Sequence, residues 1–400
     1  MLTQKDVTLV IPAYNNLRHL KNAYDSIKRN APEVKVILLD DGSTDGTFEW
    51  LKSLELDKQI SVIYRSEERV GHTILYDKGM VLARTLIVGV LHADMIIGPN
   101  YIENILKHLK PGMVVCGTRI EPPLHPEGKE KIIKDFGMDF DSLNIPEFEE
   151  FVIKYQTMVQ DSFFDNGIKT TKGMFAPWIL YRKDFDMVGG HDRIFAPFPY
   201  EDSDIFQRWM LAGYELIQSR DALVYHLTCR GHRWTEKIGQ DDAYFQNASN
   251  KSARNYLRKW GSWIQNDEYQ LPIIPKKYDI GIVLQGSSYN TLLMDILEPW
   301  CSNIYISDED IVSEYIKNEQ PNTLIDLKSK FKINEEPTND VLLVISINEF
   351  DNKSAEMLKY LQFTIAQVDE IGDYQLGSMI LSIRKMNPIQ IPIEPLFPTT

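Results

Sequence analysis

Apolar and polar positions alternate along this chain in a repeating strand-then-helix rhythm. Residues 7–11 form an apolar run ended by Pro12, the pattern of a buried strand. Over 17–29, Leu17, Leu20, Ala23, Tyr24 and Ile27 fall at helical spacing. The run 34–39 predicts a second strand, which stops at Asp40-Asp41-Gly42-Ser43-Thr44-Asp45-Gly46. That stretch is a turn whose small polar residues are N-cap candidates for a helix through Trp50. Residues 60–64 predict a third strand and 85–91 a fourth, closing on His92-Ala93-Asp94. Such alternation calls for an α/β fold with a mixed, mostly parallel sheet and helices on both faces. Leu-Pro-Ile-Ile-Pro-Lys-Lys then reads as an extended linker at 270–277. Beyond it the alternation resumes, with strands expected at 278–284, 304–307, 323–326 and 341–347, and an edge strand at 379–384. Helices are expected there at 291–300, 311–317 and 355–361. The expected division is a domain over 1–269, the linker, a smaller α/β domain over 278–387, and a Pro-rich tail over 388–400.

Composition narrows the chemistry. With 57 acids against 43 bases and a net charge of −14, the chain lacks the basic footprint of a nucleic-acid binder. Cys116, Cys229 and Cys301 are too few and too scattered for a disulfide framework, which suits reduced thiols in a cytoplasmic protein. No apolar run approaches the ~18 residues of a membrane span, and residues 1–6 lack a signal-peptide core. A soluble, cytoplasmic protein is expected. All 8 histidines precede the linker, so imidazole chemistry belongs to the first domain.

In open α/β sheets ligands gather at the carboxyl ends of the strands. Those ends carry Pro12-Ala13-Tyr14, Asp40-Asp41 and His92-Ala93-Asp94. Asp41 can cap the following helix, or accept the ring N–H of uracil or guanine. Tyr14 offers a face for a base to stack on. In His92-x-Asp94, residues i and i+2 of an extended chain project to one side, and an imidazole with a carboxylate suits Mn²⁺, Zn²⁺ or a tolerant Mg²⁺ site. Glu201-Asp202 opens a helix-like stretch, where acids serve as dipole partners or, alternatively, as a general base for an incoming hydroxyl. His226 ends the strand at 222–225 as a third ligand candidate. Trp178 is either a core aromatic or a surface on which an acceptor sugar stacks.

Taken in order, these pieces resemble family 2 glycosyltransferases of the GT-A fold over the first ~265 residues. Val7-Thr-Leu-Val-Ile-Pro-Ala-Tyr-Asn15 is similar to the opening strand and loop of that family, and Leu39-Asp-Asp-Gly-Ser-Thr-Asp45 to its best-known signature. Gly71 through Asp77-Lys78-Gly79 resembles its G-x-x-x-A-R-N-x-G segment, and His92-Ala93-Asp94 stands at its Asp-x-Asp. Gly189-Gly190-His191-Asp192, then Glu201-Asp202-Ser203-Asp204 and Arg208, resemble its Gly-Gly-Phe-Asp and Glu-Asp blocks; Lys259-Trp260-Gly261 resembles its closing motif. The resemblance implies an inverting transferase that takes a nucleotide-sugar, a UDP-sugar first of all, to a hydroxyl of a glycan or glycoconjugate acceptor. It implies a nucleotide set of Pro12, Ala13, Tyr14, Asp41, Gly71, Asp77, His92 and Ala93. Mn²⁺ (or Mg²⁺) would sit on Asp94, His226 and His92. Asp202 would be the catalytic base, with Glu201 orienting the acceptor or supporting that base.

Two departures stand out. His92 replaces the first Asp of Asp-x-Asp, and Tyr76-Asp77 replaces the usual Arg-Asn, removing a cation beside the diphosphate. Lys78, Arg65, Arg69 or a basic residue of 230–233 would have to make up that charge, and 228–240 could form a lid over the phosphates. The domain at 278–387 resembles a small Rossmann-like unit and, faintly, a degenerate methyltransferase. Its Gln285-Gly286-Ser287-Ser288 has one glycine where a cofactor cradle needs three. Two rival readings follow: a methyltransferase or nucleotide-dependent enzyme acting through that domain, and an inactive carbohydrate-binding protein. The domain itself is read as structural, acceptor-positioning or oligomerising, which leaves room for a homo-oligomer.

Overall fold

The structure, a computed structural model, describes residues 2–160, 170–230, 233–234 and 237–397. Its packing divides into two units: Met1–Ala248 with Asn266–Pro272 and Ile393–Thr400, and Ser249–Gln265 with Ile273–Pro392.

The first unit is built on a ten-stranded sheet. In chain order its strands are β1 (Val7–Ala13), β2 (Lys35–Asp40), β3 (Ile60–Arg65), β4 (Ile87–Val90), β5 (Met95–Ile97), β6 (Met113–Glu121), β7 (Lys131–Ile133), β8 (Thr170–Lys172), β9 (Trp178–Tyr181) and β10 (Glu215–His226). The spatial order is β3-β2-β1-β4-β9-β6-β10-β5, with β7 beside β6 and β8 beside β10. β1 pairs in parallel with β2 and β4, as do β2 with β3 and β6 with β10. β9 lies antiparallel between β4 and β6. The α/β class and mixed sheet expected from the alternation are therefore present.

The apolar run of β1 is buried along its whole length because strands flank it on both sides. Helix α1 (Leu17–Asn30) buries Leu20, Ala23, Tyr24 and Ile27 of the expected stripe and leaves Leu17, at its first position, half-buried. The turn after β2 leads into α2 (Thr47–Ser53), whose N-cap is Gly46 with φ +90° rather than a side-chain cap. Asp45 serves from outside the helix, accepting from Thr47 N at 3.1 Å and Leu17 N at 3.0 Å, and so ties two loops together.

Helix α3 (His72–Leu82) lies against β1 through Gly79, where an added Cβ would collide with the Val10 side chain. Gly79→Ala is expected to lower stability by about 1–3 kcal/mol through overpacking. The urea midpoint of unfolding reads this directly, and an unchanged midpoint would show that the strand yields without cost.

The second unit holds a six-stranded sheet ordered Phe331–Ile333, Asn303–Ile306, Ile280–Gln285, Val341–Ser346, Met379–Ile383, Gly372–Leu376. Its first four strands are parallel and its last two antiparallel. Two expectations fail here. No strand forms at 323–326, because Thr323 Oγ1 and Asp326 Oδ1 accept from Ile325 N and Lys328 N and bend the chain; the strand comes at Phe331–Ile333. Met379–Ile383 is not an edge, since a hairpin turning at Gly377 (φ +62°) lays Gly372–Leu376 outside it. Pro388–Ile389 of the expected tail pairs with Lys277–Tyr278. Buried charges in this unit satisfy one another: Glu298 meets Arg258 at 2.6 Å and also Lys330, and Arg258 meets Glu319 at 2.7 Å.

Candidate active site

Six chain segments converge on a cavity of about 280 Å³ in the first unit. The end of β1 brings Pro12, Ala13 and Tyr14, and the turn after β2 brings Asp41. Gly71 and α3 contribute His72 and Tyr76; the β4–β5 connection contributes His92, Ala93 and Asp94. Asp202, in the first turn of the helix Glu201–Leu211, and His226, at the end of β10, complete the walls.

His92, Asp94 and His226 each offer a ligand atom within 4.8 Å of the other two. Asp94 Oδ2 accepts from Arg230 N at 3.1 Å, while Oδ1 stands 3.8 Å from His226 Nε2, too far for a hydrogen bond. His226 Nδ1 lies 3.2 Å from Glu121 Oε1, and this carboxylate fixes the ring with Nε2 toward Asp94. Glu121 is in turn held by Arg119 and by Lys131 at 3.0 Å. Burial opposes its charge, yet His226, Arg119 and Lys131 outweigh that and keep the carboxyl far below the usual range. Burial pushes His92 down to about 4, so its ring is neutral near pH 7. Burial also works against Asp94, but the neighbouring imidazoles hold its carboxyl below the ordinary value. A carboxylate, a neutral imidazole and a second imidazole oriented by an outer carboxylate suit Mn²⁺ or a tolerant Mg²⁺, and the wide Asp94–His226 gap leaves room for an ion between them.

Glu201 and Asp202 sit side by side in contrasting environments, Asp202 lining the cavity and Glu201 turned to His72. Glu201 Oε1 pairs with His72 Nε2 at 2.7 Å, and that ring stacks on Phe198 at 5.4 Å. Burial resists charge on Glu201, but His72 and His191 outweigh it and hold the carboxyl low. Asp202 is pushed up to about 6 by burial and then by the Glu201 charge, with His191, His72 and the Trp178 indole pulling the other way. Two adjacent carboxyls pushed apart in this way give one fixed charge and one group that exchanges protons near neutrality.

Asp41 is 3% exposed and accepts from Val70 N at 2.8 Å, Gly71 N at 2.9 Å and Ser66 Oγ at 3.2 Å. Burial raises its pKa against these bonds. It therefore braces the loop before α3 as well as facing the cavity. The Arg69 guanidinium lies 3.9 Å from the Tyr14 ring centre and 4.2 Å from that of Tyr244, a cation placed at the cavity mouth.

Four expected residues lie elsewhere. Asp77, buried on α3, accepts from His191 N at 3.0 Å and His191 Nδ1 at 2.7 Å. Lys78 is exposed, its ammonium 5.4 Å from the Tyr64 ring. The helical period explains both: with about 100° per residue, positions facing the cavity at His72 and Tyr76 turn Asp77 and Lys78 away. Arg65 pairs with Asp40 at 3.3 Å and donates to Ser43 O, bracing the turn after β2. Trp178 is fully buried, 4.9 Å from Trp209 centre to centre, and has no face to offer an acceptor sugar.

Sequence reasoning missed His72, Asn16, Phe198 and Glu121. Glu121, a lone acid closing the apolar run of β6, carried a readable signal; His72 stood at a variable position of its segment and carried none. Of the expected lid, residues 231, 232, 235 and 236 lie outside the described residues, while Cys229 and Arg233 line the cavity.

Residues 8–166 match the family model described as glycosyl transferase family 2. Two validoxylamine A glucosyltransferases of Streptomyces hygroscopicus are similar. That of subsp. limoneus is 27% identical over 246 residues, covering 54% of this chain and 50% of its own length. That of subsp. jinggangensis is 26% identical over 246 residues, covering 54% of each. The chain thus spans about half the length of these curated relatives. Among solved structures, a mannosyltransferase from Pyrobaculum calidifontis in complex with GDP-Man and Mn²⁺ aligns with a TM-score of 0.41 at 16% identity, covering 63% of each chain. Among the described residues, no helix is long and apolar enough to cross a membrane.

Proposed function

We propose that the first unit is a GT-A glycosyltransferase. It moves a sugar from a nucleoside diphosphate sugar, a UDP-sugar in the first instance, to a hydroxyl of a glycan or other acceptor, with inversion at the anomeric carbon. The observation that carries this reading is the juxtaposition, in one cavity, of the His92–Asp94–His226 cluster and Asp202.

In this reading Tyr14 stacks on the base, and Asp41 accepts its ring N–H. His92, Asp94 and His226 would hold Mn²⁺ or Mg²⁺, which would supply counter-charge to the diphosphate and Lewis-acid assistance to its departure. Asp202 takes the proton of the acceptor hydroxyl as that oxygen attacks the anomeric carbon. Glu201, kept ionised by His72, holds the Asp202 carboxyl near neutrality, where a base both stays unprotonated and retains driving force. The second unit is read as structural, acceptor-positioning or oligomerising rather than as a second active site.

Calorimetric titration of UDP and GDP, each with Mn²⁺ and again with chelator, tests the reading. One nucleotide is expected to bind with the metal and to weaken by roughly tenfold or more without it. If neither binds under either condition, the proposal is wrong.

A further inference from the structure

A second cavity of about 710 Å³ adjoins the first and shares Tyr14, Asn16 and Arg69 with it. Neither the three-ligand cluster nor Asp202 lines it. Its walls carry Arg18, Arg69, Arg230 and Lys237, four cations around one space in a chain of net charge −14. The acids on the same walls are engaged locally. Asp45 accepts from Leu17 N and Thr47 N, Asp139 Oδ1 lies 2.9 Å from His19 Nε2, and Asp242 accepts from Phe245 N at 2.6 Å. Arg18 lies over the Phe140 ring and Arg69 over Tyr14, and neither makes an ion pair among the described residues.

Three N–H donors on these walls lack an acceptor among the described residues: Asn16 Nδ2, Arg69 Nε and Arg230 Nε. Asn16 is 5% exposed and Arg230 7%, so water does little to relieve them. Arg230 Nε stands 4.0 Å from Asp139 Oδ1, beyond hydrogen-bond reach. Buried donors left unmade cost stability unless something supplies the missing acceptor, and guanidinium groups match the oxygens of phosphate and carboxylate in geometry.

We propose that this second cavity holds an anionic group, phosphate or carboxylate, of the molecule that receives the sugar. The phosphates of the donor belong at the three-ligand cluster in the first cavity, so the anion here is a different one. The shared wall at Tyr14, Asn16 and Arg69 sets the two ligands side by side. The anion site stands on its donors alone, whereas assigning its ligand to the acceptor rests on the transfer reading above.

The test titrates glucose 6-phosphate, with glucose as the neutral control, into the full chain and into the Arg18→Gln/Lys237→Gln double variant. Both altered side chains are exposed and outside the first cavity. Each titration is run alone and with saturating UDP and Mn²⁺. Glucose 6-phosphate is expected to bind in both conditions and glucose in neither. The double variant should weaken the sugar phosphate by roughly tenfold or more while UDP affinity stays within about twofold. Equal binding of glucose and its phosphate, or an undiminished double variant, overturns the proposal. Mutual displacement of the sugar phosphate and UDP also overturns it, by assigning these cations to the donor. UDP that fails to bind overturns the transfer reading, and with it the assignment to the acceptor, whatever the sugar phosphate does.

Discussion

Asp202→Asn is expected to slow sugar transfer by roughly 10²–10⁴-fold while donor binding stays within about threefold. The amide keeps the size of the carboxyl but accepts no proton from the acceptor hydroxyl, so the loss falls on kcat. The pH profile of the wild type supplies a second readout. Asp202 is raised to about 6 by burial and the Glu201 charge, and its working form is the unprotonated one. kcat/KM should therefore be level above that pH and fall about tenfold per unit below it. The Asn variant should lack this acid limb. A variant retaining more than about a third of wild-type kcat would remove Asp202 from the mechanism.

His226→Ala is expected to abolish the dependence of donor binding on added Mn²⁺ over the range where the wild type saturates. The substitution removes one of three ligand atoms and leaves Glu121 facing a void. Glu121→Gln tests the same cluster at one remove: it keeps all three ligands but weakens the orientation of the His226 ring. Metal affinity should then drop by roughly 10–100-fold, less than for the ligand itself. Melting curves of both variants separate loss of the site from loss of the fold, since Glu121 also anchors Arg119 and Lys131. If His226→Ala responds to Mn²⁺ as the wild type does, the cluster is not the metal site.

The rim of the cavity was legible because it is made of strand ends. A buried strand announces itself by its apolar run, and whatever follows the run must stand at the carboxyl edge. Tyr14, Asp41, Asp94 and His226 could thus be brought together on paper, and the structure sets them around one cavity. Residues on α3 were harder. A nine-residue motif resemblance does not say which face of a helix meets the ligand, and Asp77 and Lys78 turn away from the cavity. Trp178 illustrates another limit: an aromatic after Pro177 reads the same whether it stacks on a sugar or on Trp209. In the second unit the strand expected at 323–326 was lost to side chains bonding their own backbone, a local competition that apolar periodicity does not register.

The contacts of residues 393–396 have a consequence for how the molecule is made. Arg208, on the helix that carries Asp202, donates to Ile393 O, and Leu396 N donates to Asp192. Pro395 packs where Gly189 has no side chain. The first unit is discontinuous, so its last piece leaves the ribosome only after every residue of the second has been synthesised. Until then the Asp202 helix lacks these ties, and the nascent protein holds its acidic first turn on an unfinished support. Maturation of the site thereby waits until the second unit has been synthesised.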